Sequence, residues 1–189
     1  MLDLILFLLL MLLVVVLFIL IEFGDLSNKI KTEQKFAGGR GTREKPFLID
    51  SIDQLHRVRN NLDKHFRLTA DINLKNYCEL RKFNGGWQPI GTRNNKFSGS
   101  FDGQGYIISN MFIESDEQKC LGLFACSGPR AVLQNINLQN ICVSGKGRAG
   151  GVVGRNEGLV KCCKVSGKVE GDEKEGLIVG ENVGRVENC

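Results

Sequence analysis

The chain has 189 residues, of which 42% are apolar and 24% charged, and this composition is ordinary for a globular protein with one core. Glycine is frequent at 23 residues and proline is rare at 3, which favours tight turns over a disordered linker. The net charge of +4 is spread along the sequence without a basic cluster, so no nucleic-acid partner is predicted.

The chain begins with an uninterrupted apolar run from Leu4 to Ile21. As a helix the run would be about 27 Å long, close to the hydrocarbon thickness of a bilayer. No Lys or Arg precedes it and no small-x-small cleavage site follows, so residues 1–22 are predicted to be an uncleaved membrane anchor. The alternative is a cleaved secretory signal, which would leave the protein secreted.

The charges that flank this run conflict with export of the domain that follows it. Lys29, Lys31 and Lys35 lie after the run and Asp3 lies before it, so the positive-inside rule places the following domain in the cytoplasm. A misassigned start that omits an upstream basic segment would remove the conflict. The predicted location is the cell membrane, with a single span and the domain facing outside.

A polar tether is predicted over residues 23–45, followed by an N-terminal cap region over 46–96. A short strand follows Pro46. A helix is predicted to begin at Ser51, because Ser51 as N-cap and Gln54 three residues later match a capping box. The cap region then reads as strand, helix and strand.

The rest of the cap region contains one alternating segment, "FRLTADINL", which predicts a single half-buried strand from Phe66 to Leu74. Asn76 to Gly86 is predicted to be a loop. The segment "WQPIG", which begins at Trp87, is predicted to be a short extended piece.

From residue 97 to 189 the sequence repeats itself. The segments "GGVVGRNEGLVKCC" and "GLIVGENVGRVENC" align without a gap at an offset of 26 residues. The matched positions are Gly150 and Gly176, Gly154 and Gly180, Asn156 and Asn182, Gly158 and Gly184, and Cys163 and Cys189. Apolar patches of two to four residues between glycine turns are too short for helices, so each unit is predicted to be one coil of an all-β parallel solenoid.

A second repeating position follows the apolar patches and holds Asn110, Asn135, Cys162 and Asn188. Asparagine tolerates left-handed backbone geometry and can donate to the next coil. These four residues are therefore predicted to form one column at a solenoid corner.

These repeats resemble the GLUG motifs of large bacterial surface and secreted proteins. Those proteins include adhesin-like proteins and the N-terminal regions of IgA-specific metalloendopeptidases. The segments before the repeats, such as "FSGSFDGQGYIISNMFI", are similar to the stretch that precedes the motifs in that family. The resemblance implies a right-handed parallel β-helix outside a bacterial cell, and the motif carries no active residues.

The chain also departs from the GLUG pattern. "GVVG" and "LIVG" stand where Gly-Leu-Val-Gly is usual, and only two full repeats are present. The sequence stops in mid-coil at Cys189, and the expectation is that it is a truncated product or a fragment, with the solenoid incomplete at its C-terminus.

One glycine-rich segment matches the motif of a dinucleotide-binding loop, but its context does not fit that fold. Gly145, Gly147 and Gly150 match G-x-G-x-x-G, with Glu170 twenty residues on, but a dinucleotide fold needs a helix after the third glycine. "GVVGRNEG" follows instead, so a turn is predicted. No cofactor is predicted.

A polysaccharide-active enzyme is the next alternative, because "FDGQG" also occurs in β-helical enzymes of that class. Glycoside hydrolysis needs two carboxylates about 5–10 Å apart. Asp102 has no acidic residue one period later, so Asp102, Gly103 and Gly105 are predicted to form a turn.

The sequence has seven cysteines and two histidines, but it has neither a C-x-x-C pair nor an H-E-x-x-H motif. Neither a metal site nor a peptidase centre is therefore predicted. Because seven is odd, at least one cysteine is unpaired within a monomer. The cysteines are interpreted as small buried apolar residues, and their pairing stays open.

The sequence therefore predicts a non-catalytic, membrane-anchored β-solenoid that acts outside the cell as an adhesin-like binding module or a stalk. The first alternative is the non-catalytic front of a larger secreted metallopeptidase or other surface enzyme. The expected partners are the membrane and an extracellular protein or glycan ligand, and the oligomeric state is open.

Overall fold

A computed structural model describes residues 11–21 and 36–189, which fall in two compact units, Met1–Phe36 and Ala37–Cys189. In the first unit, residues 11–21 are helical (α1) and their side chains are exposed. None of the helices in the described ranges combines the length and apolar character that a membrane span requires. The rest of the predicted anchor and most of the predicted tether lie outside the described residues.

The second unit consists of short strands and a few helical turns. The helices are α2 (Ile52–Arg57) and α3 (Lys75–Leu80), and 3₁₀ turns cover Val58–Asn60 and Lys82–Asn84. The strands up to the repeats are β1 (Phe47–Ile49), β2 (His65–Leu68), β3 (Ile72–Asn73), β4 (Ser100–Asp102), β5 (Ile107–Ser109), β6 (Phe112–Ser115), β7 (Cys120–Leu121), β8 (Phe124–Ser127) and β9 (Val132–Gln134). The later strands are β10 (Asn137–Gly145), β11 (Arg148–Gly150), β12 (Val153–Asn156), β13 (Leu159–Lys161), β14 (Lys164–Gly171), β15 (Lys174–Gly176), β16 (Val179–Asn182) and β17 (Arg185–Glu187).

The strands stack in parallel, and this arrangement confirms the predicted β-solenoid. One sheet has the order β1-β2-β4-β9-β13-β17, and another runs β14-β10-β5-β3 with β6 beside β10. Two three-stranded sheets, β15-β11-β7 and β16-β12-β8, complete the coils. Val132 pairs with Leu159 and Leu159 with Arg185, so these two coils have 27 and 26 residues, whereas Ser100 pairs with Val132 across 32.

A column of inward side chains shows what holds the coils together. Phe66 pairs with Phe101, Phe101 with Leu133, Leu133 with Val160, and Val160 with Val186. The first four are at most 1% exposed, and burial of each contributes about 1.5–3 kcal/mol. Val186, in the last coil, is 41% exposed. The core therefore ends one coil before the C-terminus of the sequence.

The helix predicted to begin at Ser51 exists but is capped differently. α2 ends at Arg57 and continues as the 3₁₀ turn, and Ser51 makes no side-chain cap hydrogen bond. The Gln54 side chain instead accepts a hydrogen bond from the backbone N–H of Asp50 at 2.8 Å. The capping-box prediction is wrong because Gln54 reaches one residue further back than the box requires.

Two other cap-region predictions also need correction. The segment from Phe66 to Leu74 forms two strands, since β2 and β3 belong to different sheets and the chain turns a corner between them. Thr69 donates its backbone N–H to Ile49 O at 2.9 Å at this corner. The predicted loop from Asn76 to Gly86 contains most of α3, whose Cys78 is buried.

The predicted column of four corner residues holds for only part of the set. Asn135, Cys162 and Asn188 each have φ near +53°, and Asn135 and Cys162 donate their N–H groups to the next coil. Asn110 follows β5 rather than β9, so it sits at a different corner, where the Asn140 side chain donates to its Oδ1 at 2.6 Å. Asn110 precedes Asn135 by 25 residues, close to one period, and this spacing led to the wrong prediction that the two residues share a corner.

Candidate functional site

A cleft of about 610 Å³ opens on one side of the solenoid and is called the basic cleft here. Its cationic residues are Arg59, Arg93 and Lys119, and amide side chains of Gln88 and Asn94 lie beside them. Among the described residues that line it, none is an aspartate or a glutamate. Because opposite charge does not neutralise these cations within the cleft, the site favours an anion.

Arg59 is the most constrained of the three cations. It lies in the 3₁₀ turn after α2, where its Nε donates to His56 O at 2.8 Å and its Nη1 lies 3.5 Å from Gln88 Oε1. Its guanidinium lies 5.0 Å from the centre of the Trp87 ring. The buried Nη2 has no hydrogen-bond partner among the described residues, and burial lowers the pKa of Arg59. An anionic oxygen is the group that would satisfy this donor.

Trp87 supports Arg59 from behind the residues that line the cleft. The ring is 1% exposed, and its Nε1 donates to Leu123 O at 3.3 Å. The His56 ring packs edge-on against it with centroids 6.2 Å apart. Burial lowers the pKa of His56, and the Arg59 and Arg81 charges lower it further. Neutral His56 is therefore a packing partner for Arg59 and Trp87.

Arg93 is presented by a tight turn on the outer wall. Thr92 donates its N–H to Asn95 O at 2.8 Å, and the Thr92 hydroxyl accepts from Asn95 N–H at 3.0 Å. Gly91, which precedes the turn, has φ +78° and thus the left-handed geometry that favours glycine. Two short hydrogen bonds close the turn and leave the Arg93 side chain exposed.

One cysteine lies at the floor of the basic cleft and a second is buried behind it. Cys120, in β7, lines the cleft and is 6% exposed, whereas Cys126, in β8, is fully buried. The Cys126 Sγ lies 3.3 Å from the Cys120 Sγ. The hydrogen bond from Cys126 lowers the pKa of Cys120 to about 7, aided by the charges of Arg148, Arg155 and Arg93. The same contact raises the pKa of Cys126.

The repeat positions singled out in the sequence do not line the basic cleft, and they are buried in the first of the two repeats but partly or fully exposed in the last coil. Gly150 pairs with Gly176 and Asn156 with Asn182, while Gly154 and Gly180 lie within the paired strands β12 and β16. Gly158 and Gly184 precede β13 and β17. Cys163 is buried and donates its N–H to the Cys189 Sγ at 3.2 Å, while Cys162 is exposed.

Asp102 occupies a turn with both carboxylate oxygens engaged. Oδ1 accepts from Gln104 N–H at 3.0 Å and from Asn135 Nδ2 at 2.9 Å. Oδ2 accepts from the amide groups of Gln104 and Gln134, each at 2.7 Å. Burial opposes ionisation, but these hydrogen bonds outweigh it and lower the pKa of Asp102. Gly103 N–H donates to Gln134 O, and Gly105 has φ +81°.

The G-x-G-x-x-G match is the β10–β11 turn. Gly145 ends β10, Gly147 lies between the strands, and Gly150 ends β11, which β12 follows after two residues. Within residues 11–21 and 36–189, no cluster of three or more His, Cys, Asp or Glu side chains is placed to hold a metal ion.

A network of ion pairs crosses the coils beside the cysteines. The Glu181 carboxylate lies 2.7 Å from Arg155 Nη1, 2.8 Å from Lys174 Nζ and 2.8 Å from Arg148 Nε. The Arg148 contact is an ion pair without hydrogen-bond alignment. The Glu181 side chain is 14% exposed, and its three cationic partners lower its pKa, with the Lys174 hydrogen bond contributing most.

Glu181→Gln should lower the free energy of unfolding by about 1–2 kcal/mol at neutral pH. The substitution removes the negative charge that three cations share, and solvent only partly screens these ion pairs. The lowered pKa means that this stabilisation is complete above the ordinary pKa of 4.5 and is lost as pH falls through the folded-state pKa. Urea denaturation at about pH 7 and about pH 3 should show the difference between the two proteins shrinking in acid. Glu114→Gln, at an exposed position, should change stability little at either pH.

Sequence reasoning did not identify the basic cleft. Arg59, Arg93 and Lys119 are separated by 26 residues or more in the sequence, and no charge cluster marks them. The solenoid brings them together because the turn after α2, the loop before β4 and the loop before β7 end on one side.

These features define a parallel β-solenoid with a basic cleft, and two curated proteins are similar to it. The chain is 37% identical over 130 residues to a protein of Evansella cellulosilytica provisionally assigned as a Gly-rich membrane protein, covering 66% of this chain and 15% of that protein. It is 34% identical over 146 residues to halomucin of Haloquadratum walsbyi, covering 75% of this chain and 2% of that protein. The chain thus spans a small part of either relative.

No family model matches the chain, so the GLUG resemblance stays a prediction. A crystal structure of a Bacteroides ovatus protein, provisionally assigned as an immunoglobulin A1 protease, is similar with a TM-score of 0.47 and 16% identity. The similarity covers 82% of this chain and 77% of that one.

Proposed function

We propose that this chain is part of a non-catalytic cell-surface protein whose β-solenoid binds acidic glycans in the basic cleft. The observation that carries the proposal is a cleft with Arg59, Arg93 and Lys119 on its walls and no carboxylate among its described lining residues. Similarity to a membrane protein and to halomucin supports the cell-surface location. The coils are right-handed, and the apolar run Leu4–Ile21 anchors the protein in the membrane.

The geometry at Asp102 supports a non-catalytic role. A glycosidase acid must hold a proton near neutral pH and release it to the substrate. Asp102 instead has a lowered pKa, and four amide groups occupy its two oxygens. It is an ionised turn residue that holds the β4 corner against Gln134 and Asn135 of the next coil.

The composition of the cleft supports a carboxylated sugar as ligand. Guanidinium groups pair with carboxylates in a planar, two-point manner, and amide side chains bind sugar hydroxyls in both directions. The buried Nη2 of Arg59 supplies one donor that lacks a protein acceptor, and Gln88, Asn94 and Asn95 supply the amides. A volume of about 610 Å³ is large enough for a short oligosaccharide.

The test is calorimetric titration of the full chain with oligogalacturonate and with its methyl-esterified form, which has the same sugar skeleton without charge. The charged form should bind and the ester should bind at least about tenfold more weakly, because each charge-assisted contact contributes about 1.5–3 kcal/mol. Arg93→Gln combined with Lys119→Gln should weaken binding of the charged form by about tenfold or more.

Lys75→Gln combined with Lys164→Gln is the matched control, because it removes the same charge from exposed positions outside the basic cleft. This control should leave affinity within about twofold at 0.15 M salt. Equal binding of the ester, or an equal loss in the control, would show that the basic cleft does not recognise carboxylates.

A further inference from the structure

The dithiol at the floor of the basic cleft has chemistry that glycan binding does not use. The two sulfur atoms are 3.3 Å apart, whereas a disulfide bond is about 2.05 Å long, so bond formation requires an approach of roughly 1.2 Å. Gly122 and Leu123 join the two strands that carry the cysteines, and Gly122 has φ +155°. The two sulfur atoms are thus already in contact in the reduced protein.

The two thiols are unequal in access and in charge. Cys120 lines the cleft, whereas Cys126 is fully buried behind it. The Cys126 S–H donates to the Cys120 Sγ, and this hydrogen bond together with the nearby arginines favours the Cys120 thiolate. The accessible sulfur is thus the nucleophile, and the buried sulfur is placed to react second.

The other buried cysteines of the second unit lack this pairing of access and reactivity. Cys78 donates to Phe112 O, and burial raises its pKa. Cys163 donates to the Lys161 carbonyl oxygen at 3.3 Å, and burial raises its pKa to about 12. These two thiols are inert near neutral pH, so among the buried cysteines only the pair at the basic cleft is reactive.

We propose that Cys120 and Cys126 form a thiol–disulfide exchange site that takes small disulfides bearing carboxylates. The Cys120 thiolate attacks one sulfur of the disulfide RS–SR, the S–S bond breaks, and RS⁻ leaves and takes a proton from solvent. Cys126 then attacks the Cys120 sulfur of the mixed disulfide, the second S–S bond breaks, and the proton of Cys126 ends on the departing RS⁻. The products are one intrachain disulfide and two RSH, with the small disulfide reduced.

The charge of the cleft gives this site a substrate preference. Arg93 and Lys119 flank the approach to Cys120, so an anionic disulfide is concentrated near the thiolate and a cationic one is repelled. The preference must fall with ionic strength, because exposed cations are screened within about 8 Å at physiological salt.

The experiment uses the reduced full chain and three disulfides of similar size. They are 3,3′-dithiodipropionate, bis(2-hydroxyethyl) disulfide and cystamine, which are anionic, neutral and cationic. Alkylation and peptide mass spectrometry measure formation of the Cys120–Cys126 bond, and each rate is divided by the rate for free N-acetylcysteinamide. The anionic reagent should be about tenfold or more favoured over the cationic one, and salt should reduce the ratio.

Variants separate the two chemical steps. Cys126→Ser should accumulate the mixed disulfide on Cys120, and Cys120→Ser should abolish both products. Cys142→Ser, at a half-buried position in β10, should leave the rate unchanged. Arg93→Gln combined with Lys119→Gln should lower the ratio of the anionic to the neutral rate severalfold, and the ratio is taken within each protein because loss of the Arg93 charge also changes the reactivity of Cys120.

Absence of the Cys120–Cys126 bond under all three reagents would overturn the proposal, as would a charge preference that survives removal of both cations. Failure of glycan binding would leave these outcomes untouched, since the exchange is measured without a glycan. Circular dichroism of each variant shows whether the fold is retained.

Discussion

Replacement of the buried Asn156 by alanine should lower the free energy of unfolding by about 3 kcal/mol. Asn156 is fully buried, and its Oδ1 accepts from the Ser127 hydroxyl at 2.7 Å and from Gly158 N–H at 3.0 Å. Its Nδ2 donates to Asn182 Oδ1 at 2.8 Å and to Gly158 O at 3.1 Å. One side chain therefore joins three successive coils.

The size of the effect follows from the groups that the substitution leaves behind. Alanine cannot accept from the Ser127 hydroxyl or from Gly158 N–H, and both would remain buried without a partner. Each such group costs about 1–3 kcal/mol, and water cannot reach them without opening the coil.

Asn182→Ala provides the matched control, because it is the same substitution at the paired position of the next coil. Asn182 is exposed, so water can replace its lost hydrogen bonds and the cost should be below about 1 kcal/mol. Urea denaturation of the two variants, followed by circular dichroism, measures the difference. Equal losses of stability in the two variants would mean that the cost depends on the repeat position of the asparagine and not on its burial.

The regular part of the fold was predictable because the sequence repeat indicates which residues of successive coils pair. An offset of 26 residues aligned Gly150 with Gly176 and Asn156 with Asn182, and the structure pairs those residues. In a parallel solenoid, residues at equal positions in successive coils must stack, so periodicity in the sequence becomes contact in space.

Prediction failed where the period is broken. Asn110 was aligned with Asn135 by distance along the chain, but the two follow different strands and occupy different corners. In the same way, β2 and β3 looked like one strand, because side chains keep alternating inward and outward across a corner. The alternation of apolar and polar residues therefore does not show where the chain passes from one sheet to the next.

The basic cleft was beyond sequence reasoning for a related reason. Its cations come from irregular loops that repeat nothing, and its two cysteines are six residues apart with no motif around them. Their proximity depends on how β7 turns into β8, which is a property of one corner. Repeats predict the framework, whereas the loops that interrupt them carry the candidate site.

Gly158→Ala should be among the most destabilising single changes in the described solenoid, with a loss of about 3 kcal/mol or no stable fold. A methyl group on Gly158 would lie 2.4 Å from Ala131 O and 2.6 Å from Gly128 O, both backbone atoms of the preceding coil. Backbone cannot rotate away as a side chain can. Relief requires the coils to separate, which would break the 2.9 Å hydrogen bond from Leu159 N–H to Ala131 O.

Gly105→Ala separates this steric effect from the general cost of replacing glycine. Gly105 has φ +81°, but an added methyl group would meet no atom within 4 Å, so the expected cost is only the left-handed strain of about 1 kcal/mol. Thermal and urea denaturation should therefore rank Gly105→Ala well above Gly158→Ala in stability. The reverse order would mean that backbone conformation, rather than the close approach of successive coils, requires glycine in this solenoid.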